Sequence, residues 1–165
     1  MKQIDPSEVL LKPFELLDEE WALLVGGSRA PNPMTVSWGG FGTLWNKPVI
    51  TVFVRPTRFT WTRLIEEPFF TLNFLPGEHR RALEICGERS GRDVNKWDLT
   101  GLHSEPGGAV PVPCVAEARL AFECRTLATL DLDPARFIDP EVHKNYPAKD
   151  YHRIFFGEVL AARTA

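Results

Sequence analysis

Short apolar runs separated by turn-forming residues make up most of the chain. The clearest run, residues 48–54, is rich in β-branched side chains and predicts a strand. Residues 34–41 alternate between apolar and polar positions, which is the period of a half-buried strand, and a turn is predicted after them at residues 42–47. Three more strands are predicted at residues 22–25, 69–75 and 153–160, and residues 116–132 predict either one long β segment or a two-stranded hairpin.

Helical patterns are fewer than strand patterns. Residues 57–67 and 77–86 predict two helices, and residues 134–142 predict one or two helical turns. The strands are not regularly interleaved with crossover helices, as a parallel sheet would require. The pattern therefore predicts a mainly β fold, an antiparallel barrel with a few peripheral helices, since closing a sheet removes its edges. No repeat or linker interrupts the sequence, so a single domain is expected over residues 1–165.

Composition and charge exclude several classes of protein. Hydrophobic residues make up 44% of the chain and charged residues 25%, which excludes a disordered protein. The net charge of −3 gives no basic surplus, so no nucleic-acid partner is expected. The first residues lack a signal-peptide pattern and no unbroken apolar stretch is long enough to span a bilayer, so no membrane association is expected. An odd number of cysteines without C-x-x-C predicts no disulfide framework and a cytoplasmic protein; they are Cys86, Cys114 and Cys124.

The sequence lacks the best-known catalytic signatures. It contains neither the G-x-G-x-x-G of dinucleotide-binding folds nor the G-x-x-x-x-G-K-[ST] of P-loops. It has no G-x-S-x-G nucleophile elbow, and its four histidines show no metal-ligand spacing. A Rossmann fold, a P-loop nucleotidase, a serine hydrolase and a metal site are therefore not predicted.

The segment RPTRFT, residues 55–60, directly follows the predicted strand at 48–54 and concentrates anion-binding groups. Thr57 is expected to cap the helix that begins there, and the free N–H groups of a helix N-terminus suit phosphate. Arg55 and Arg58 add charge-assisted donors, and Thr60 offers a hydroxyl one turn into the helix. The alternative is an ordinary helix cap flanked by two solvated arginines.

The segment NPMTVSWGG, residues 32–40, combines hydroxyl side chains with paired glycines. Thr35 and Ser37 share one face of a strand, because strand side chains alternate with period two. Glycines allow a flat ligand to approach the backbone closely. The alternative is an alternating strand with one solvated face. Tryptophans could wall a flat ligand by stacking, although core packing is their commoner fate; the candidates are Trp38, Trp45 and Trp61.

A third segment, CGERSGRDVNK at residues 86–96, offers Gly, Ser, Arg and Lys in one loop. Loops of this composition close over anionic ligands. The alternative is a helix C-cap at Gly87 followed by solvated charges. Together, the three segments fit a ligand that carries both a phosphate and a flat polar ring, and flavin mononucleotide (FMN) is such a ligand.

The order of these motifs resembles the flavin reductase-like family, most closely its flavoredoxin-like subgroup. The matching runs are N-x-M-T-x-S-W-G-G, K-P-V-x-x-V-F-V-R-P-x-R-x-T, C-G-x-x-S-G-R-D-V-x-K and N-Y-P-x-K-D-Y-H-R-x-x-x-G-E-V, from about residue 12 to residue 159. The resemblance implies an antiparallel Greek-key split β-barrel that forms a homodimer and binds FMN near the subunit interface. It also implies an NAD(P)H-dependent flavin oxidoreductase that passes hydride or electrons through FMN to a second flavin or a redox protein. The alternative is a flavoredoxin-type electron carrier, or a plain FMN-binding protein, without NAD(P)H turnover.

The resemblance also assigns residues to roles. His152 corresponds to a histidine that lies near the nicotinamide in other flavin reductases, although this chain has Lys149-Asp150-Tyr151-His152 where several of them have Gly-Asp-His. His152 could equally be a structural residue at the start of a strand. Asn32-Pro33 replaces the Asn-Thr expected before Met-Thr. By resemblance, Thr35, Val36, Ser37 and Trp38 would line the isoalloxazine ring, Arg55, Thr57, Arg58 and Thr60 would hold the phosphate, and Ser90, Gly91 and Lys96 would close the site.

Overall fold

A computed structural model describes residues 1–165. It contains ten strands: β1 (Lys2–Ile4), β2 (Ala22–Gly26), β3 (Asn32–Val36), β4 (Gly39–Leu44), β5 (Lys47–Val54), β6 (Phe69–Phe74), β7 (Ser104–Glu105), β8 (Cys114–Val115), β9 (Leu120–Asp131) and β10 (Arg153–Thr164). The three α-helices are α1 (Phe59–Glu66), α2 (Arg80–Glu88) and α3 (Lys96–Thr100). A π-helix spans Glu15–Glu20, and 3₁₀ turns lie at Pro6–Glu8, Gly77–His79, Pro134–Arg136 and Pro140–Asn145.

The main sheet is antiparallel throughout and curls into a barrel that is open along one seam. Its strand order is β3-β2-β6-β9-β10-β5-β4, and β1 pairs with the end of β10 beyond β5. The two edge strands, β3 and β4, are consecutive in the chain and only Ser37 and Trp38 separate them. A sheet whose first and last strands nearly meet has rolled up on itself. The prediction of an antiparallel split β-barrel with a few helices is confirmed.

Two apolar clusters stabilise the barrel, one on each face of the sheet. The barrel interior is filled by side chains such as Leu24, Phe70 and Phe155, all fully buried. The outer cluster lies between the sheet and α2 with the 102–118 loop, and it includes Leu23 and Leu83. Leu23 and Leu24 are neighbours that point to opposite faces, as the period-two rule requires. Burying both faces of β2 explains why residues 22–25 form an uninterrupted apolar run.

Two long strands, β9 and β10, form the back of the barrel and are irregular where they bend. The register between them shifts at Phe156/Gly157 and at Val159/Ala161, which marks β-bulges. At the first shift, Gly157 lies directly against the Phe70 ring, and a β-carbon there would be only 2.7 Å from Phe70 Cε1. The ring of a core phenylalanine therefore requires a glycine at this bulge.

The segment after Asn32 differs most from the sequence prediction. The prediction of a single strand at residues 34–41 was wrong, because Ser37 and Trp38 interrupt the strand and divide it into β3 and β4. The predicted turn at 42–47 was also wrong, because β4 continues to Leu44 and pairs with Lys47. Only Trp45 and Asn46 form the turn, with φ of 52° and 58°. Two consecutive positive φ angles are typical of the two-residue hairpin turn that suits the twist of β-strands.

The observed helix ends and the long strand β9 differ less from the sequence predictions. Helix α1 begins at Phe59 with Arg58 as N-cap and no side-chain cap, so the prediction that Thr57 caps it was wrong. Helix α2 continues to Glu88, so it has no C-cap at Gly87. Of the two alternatives at residues 116–132, the single strand is observed, as β9. Several short elements have no clear signal in the sequence: β1, β7, β8, α3 and the π-helix.

Candidate functional site

A cavity of about 170 Å³ lies along the open seam of the barrel, where β3 and β4 nearly meet. It brings together all four residues that the resemblance assigns to a flavin ring. Phe53 lies on β5 and Arg55 directly follows its last residue, and both also line the cavity. The two are two positions apart and reach the same cavity, as the period of an extended chain allows. The full lining is Met34, Thr35, Val36, Ser37, Trp38, Phe53, Arg55, Arg58 and His152. We call it the ring cavity.

A second cavity, of about 160 Å³, adjoins the ring cavity and shares Arg58 with it. It lies between the start of α1 and the loop that follows α2. Every residue assigned to phosphate binding or to closing the site lines it, except Arg55. The full lining is Thr57, Arg58, Phe59, Thr60, Glu88, Arg89, Ser90, Gly91 and Lys96. We call it the phosphate cavity, after the group that these residue types suit.

Two cations of the phosphate cavity have no carboxylate partner. Lys96 is 3% exposed, and its Nζ donates to the carbonyl oxygens of Pro33 and Cys86, both at 2.9 Å. Arg58 Nη2 donates to the same Cys86 oxygen at 3.3 Å, and Arg58 Nε lies 3.2 Å from Met34 Sδ. Burial lowers the pKa of Lys96 to about 8 and, together with Arg55, lowers the pKa of Arg58. A buried cation normally has a counter-charge, so the buried Lys96, with the half-buried Arg58 beside it, marks a place for an anion.

Arg55, in contrast, is already neutralised. Its Nη1 forms an ion pair with Asp150 Oδ1 at 2.7 Å, and its Nη2 donates to the Asn145 carbonyl at 2.8 Å. Its guanidinium also lies 5.0 Å from the centroid of the Tyr146 ring. Arg55 therefore lines the ring cavity as one half of an ion pair, and its assigned role at the phosphate stays a prediction.

The hydroxyl groups that the sequence singled out are engaged to different degrees. Thr60 is fully buried, and its Oγ1 accepts a hydrogen bond from Asn32 Nδ2 at 2.6 Å. Thr35 Oγ1 donates to the Leu83 carbonyl of α2, away from the ring cavity. Ser37 makes no side-chain hydrogen bond within the chain. Of these three, Ser37 retains a free hydroxyl at the seam.

The loop after α2 and the first residues of α3 are fixed to residues 31–33, at the start of β3, at three points. Lys96 donates to the Pro33 carbonyl, and Trp97 Nε1 donates to the Pro31 carbonyl at 2.8 Å. Gly91 packs on the side chain of Asn32, where a β-carbon would clash. Because β3 is an edge strand, it tolerates Pro33 and leaves carbonyls on its outer side for other partners. The Asn-Pro departure from the family pattern thus lies at this junction.

His152 lies immediately before β10 and is 8% exposed. Its Nδ1 is 2.8 Å from the hydroxyl of Tyr146, and its ring centroid is 5.1 Å from that of Trp38. Burial, with a contribution from Arg55, lowers the pKa of His152 to about 4. The imidazole is therefore neutral near pH 7 and can offer a hydrogen bond but not a positive charge.

Of the three tryptophans considered for stacking, only Trp38 lines the ring cavity. Trp45 lies in the β4–β5 turn, and Trp61 packs against the barrel core, so stacking by these two was wrong. Sequence reasoning missed Phe53 and Tyr146. The alternation of β5 could have indicated Phe53, since it precedes Arg55 by two, whereas nothing periodic points to Tyr146.

Other sites for chemistry are sparse. All three cysteines are buried and unpaired, and burial raises the pKa of Cys86 and Cys114 to about 11, so these thiols are not activated. No group of three or more His, Cys, Asp or Glu side chains comes together as metal ligands would. None of the helices has the length and apolar character needed to cross a bilayer.

Comparisons with known proteins agree with this fold. A protein of Aquifex aeolicus (strain VF5), described as uncharacterized, is 27% identical over 101 residues, which is 61% of this chain and 43% of that protein. The alignment thus spans less than half of this relative. The flavoredoxin from Methanosarcina acetivorans has a TM-score of 0.71 and 23% identity, over 100% of this chain and 76% of that one. The FMN-binding domain of a flavin reductases-like enzyme from Shewanella baltica OS155 has a TM-score of 0.69 and 19% identity, over 98% of this chain and 75% of that one. The family model for the flavin reductase like domain matches residues 22–165, and the chain belongs to that family.

Proposed function

We propose that this chain binds FMN along the seam of the barrel, with the ring in the ring cavity and the phosphate in the phosphate cavity. The observation that carries the proposal is a pair of cations, the buried Lys96 and the half-buried Arg58, which share one carbonyl and form no ion pair with a carboxylate. Membership of the flavin reductase-like family and an FMN-binding structural neighbour support the same ligand.

The residues at the phosphate cavity fit a phosphate dianion. Arg58 supplies a fork of donors that matches phosphate geometry, and Lys96 supplies a point charge. Ser90 adds a hydroxyl, and the absence of a side chain at Gly91 leaves the backbone accessible. A bound dianion would provide the counter-charge that these cations lack, and it would raise the pKa of Lys96 again.

The ring cavity fits a flat heteroaromatic ring with polar edges. Trp38 and Phe53 give it apolar walls, and the Ser37 hydroxyl is free to bond to a ring edge. A bound flavin would supply two-electron transfer, which no side chain of this chain can perform. The chain's own part is to bind and orient the ring and to keep the neighbouring imidazole of His152 neutral.

We propose that electrons reach the flavin from NAD(P)H and leave it for a second flavin or a redox protein, as in an NAD(P)H-dependent flavin oxidoreductase. His152 would then contact the nicotinamide. The resemblance also supports a homodimer, and light scattering of the purified protein tests this point directly.

A second candidate function is an electron carrier without NAD(P)H turnover. The ring cavity favours it, because that cavity has no spare cation for the phosphates of a pyridine nucleotide. Arg55 is paired with Asp150, and Arg58 also faces the phosphate cavity. A flavoredoxin among the structural neighbours supports this alternative.

Two measurements test these proposals. Titration of flavin-free protein with FMN and with riboflavin, followed by fluorescence quenching, should show tighter binding of FMN; no quenching by either flavin contradicts flavin binding. Anaerobic stopped-flow mixing of the FMN-loaded protein with NADH and with NADPH then separates the two functions. Bleaching of the flavin absorbance within seconds supports the reductase, and no bleaching with either nucleotide supports the electron carrier.

A further inference from the structure

An apolar groove of about 600 Å³ adjoins the ring cavity on the side away from the phosphate cavity. Three residues, Ser37, Trp38 and Phe53, line both. The groove has no Lys, Arg or His in its lining, and Asp18 is its only charged residue. Its volume is that of a site for a small organic molecule. The apolar walls are formed mainly by Phe14, Leu17, Trp38, Phe41, Phe53 and Leu132.

Tyr146 and His152 stand at the junction of the groove and the ring cavity. Tyr146 lines the groove, His152 lines the ring cavity, and their hydrogen bond of 2.8 Å joins the two. A phenol is a better donor than acceptor, so we assign the hydroxyl hydrogen of Tyr146 to His152 Nδ1. In a neutral imidazole, the proton then resides on Nε2, which has no hydrogen-bond partner within the chain.

We propose that the groove binds a flat, uncharged aromatic carbonyl compound, such as an aromatic ketone or a quinone, whose oxygen extends past Trp38 to the edge of the ring cavity and there accepts a hydrogen bond from His152 Nε2. Tyr146 acts as a positioning residue, because it fixes the orientation and the tautomer of the imidazole. The inference rests on the proposed function only in treating this compound as the electron acceptor of the flavin. Its binding can be tested without any redox reaction.

The lining of the groove explains why the compound is flat and uncharged. Aromatic rings such as Phe14 and Trp38 offer flat surfaces, against which an aromatic ligand gains stacking energy. An anion would lose its hydration without meeting a cation, and the carboxylate of Asp18 would repel it. A single neutral donor, His152 at the adjoining edge of the ring cavity, suits one carbonyl oxygen.

The first experiment compares two ligands of nearly the same shape by calorimetry, 2-acetylnaphthalene and the 2-naphthoate anion. We expect the ketone to bind at least about 10-fold more tightly than the anion, both to flavin-free protein and to protein saturated with FMN. Equal affinities would overturn the charge argument. Displacement of the ketone by FMN would show that it occupies the ring cavity, and would overturn the assignment to the groove.

Variants at the groove test its location. Phe14 is 89% exposed and lines the groove, whereas Leu10 is 100% exposed and does not. Phe14→Lys should reverse the preference between the two ligands by adding a cation, and Leu10→Lys should leave it unchanged. The same effect in both variants would overturn the proposal. So would a wild-type dimer that only Phe14→Lys dissociates, since a second copy of the chain would then fill the groove.

The positioning role is tested with the two tyrosines of the chain. Tyr146→Phe keeps the ring but removes the hydroxyl that meets His152, and Tyr151→Phe is the control because its hydroxyl makes no hydrogen bond. We expect about 5-fold weaker binding of 2-acetylnaphthalene to Tyr146→Phe, with unchanged binding of naphthalene, which has no oxygen. Unchanged ketone affinity would overturn the role of the pair. Loss of FMN binding with retained ketone binding would count against the proposed function and leave the groove intact.

Discussion

Arg58 and Lys96 donate hydrogen bonds to one acceptor, the carbonyl oxygen of Cys86, at 3.3 and 2.9 Å. Two like charges, one buried and one half-buried, are thereby held close together, and neither forms an ion pair with a carboxylate. Their mutual repulsion and their desolvation are costs that folding alone would not select. A ligand with two negative charges would offset both costs, so this pair of cations should favour the binding of a dianion.

Replacing Lys96 by Met should weaken the binding of FMN by about 10- to 100-fold, because one charge-assisted hydrogen bond to the phosphate is lost. Riboflavin lacks the phosphate, so its affinity should change by less than about 3-fold. Fluorescence titration of both flavins measures the two effects. Lys144→Met is the matched control, since Lys144 lies on the exposed turn Pro140–Asn145 away from both cavities. Equal losses for FMN and riboflavin would show that Lys96 does not meet the phosphate.

The two arginines of the RPTRFT segment should behave differently, because the structure assigns them to different surroundings. Arg58→Met should weaken FMN binding much more than riboflavin binding. Arg55→Met should affect both flavins alike, since Arg55 is paired with Asp150 and lines only the ring cavity. Titrations of both variants with both flavins check this difference. An FMN-specific loss in Arg55→Met would instead place Arg55 at the phosphate.

The stability of the flavin-free protein should fall as the pH drops from about 6.5 toward 4. The unfolded chain takes up a proton at His152 near pH 6.5, whereas burial holds the pKa in the folded protein at about 4. Protonation therefore favours the unfolded state in this range, and the free energy of unfolding should decrease by about 3 kcal/mol on this account. Urea denaturation at several pH values, for wild type and His152→Gln, isolates the contribution. Parallel pH profiles for the two proteins would contradict it.

Gly157→Ala should destabilise the protein by about 1–3 kcal/mol, because the added methyl group meets the fully buried ring of Phe70. Thermal or urea denaturation measures the loss. Gly42→Ala is the control, since a β-carbon at Gly42 meets no atom within 4 Å. Adding Phe70→Leu to Gly157→Ala should restore part of the stability by making room, and a lack of any recovery would argue against this clash as the cause.

The sequence pattern predicted the architecture more completely than it predicted the details of the site. Apolar alternation and β-branched runs are set by burial, so β2, β5, β6 and the long β10 could be found from them. The break at Ser37–Trp38 could not, because it arises where the two edges of the rolled sheet meet, and that is a property of the closed barrel. Thr57 looked like a cap in isolation, but α1 begins two residues later.

The ordered motifs indicated residues that the structure brings together along the seam, but not the partners of those residues. The neutralisation of Arg55 by Asp150 joins residues that are 95 positions apart, and no local spacing encodes such a pairing. Tyr146 and His152 are close in the sequence, but the irregular segment between them has no periodic pattern that would indicate their contact. The sequence therefore indicated which residues gather at the seam, and the fold decided which of them keep a free charge.

The attachment of residues 90–97, the end of the loop after α2 and the start of α3, to residues 31–33 has a consequence for ligand size. Strand β3 carries Thr35 and Val36 into the ring cavity, and residues 90–97 carry Ser90 and Lys96 into the phosphate cavity. Because the contacts at Pro31, Asn32 and Pro33 join the two segments directly, the distance between the two cavities is fixed. A flavin analogue with a shortened or lengthened chain between ring and phosphate could place its ring in the ring cavity or its phosphate in the phosphate cavity, but not both at once.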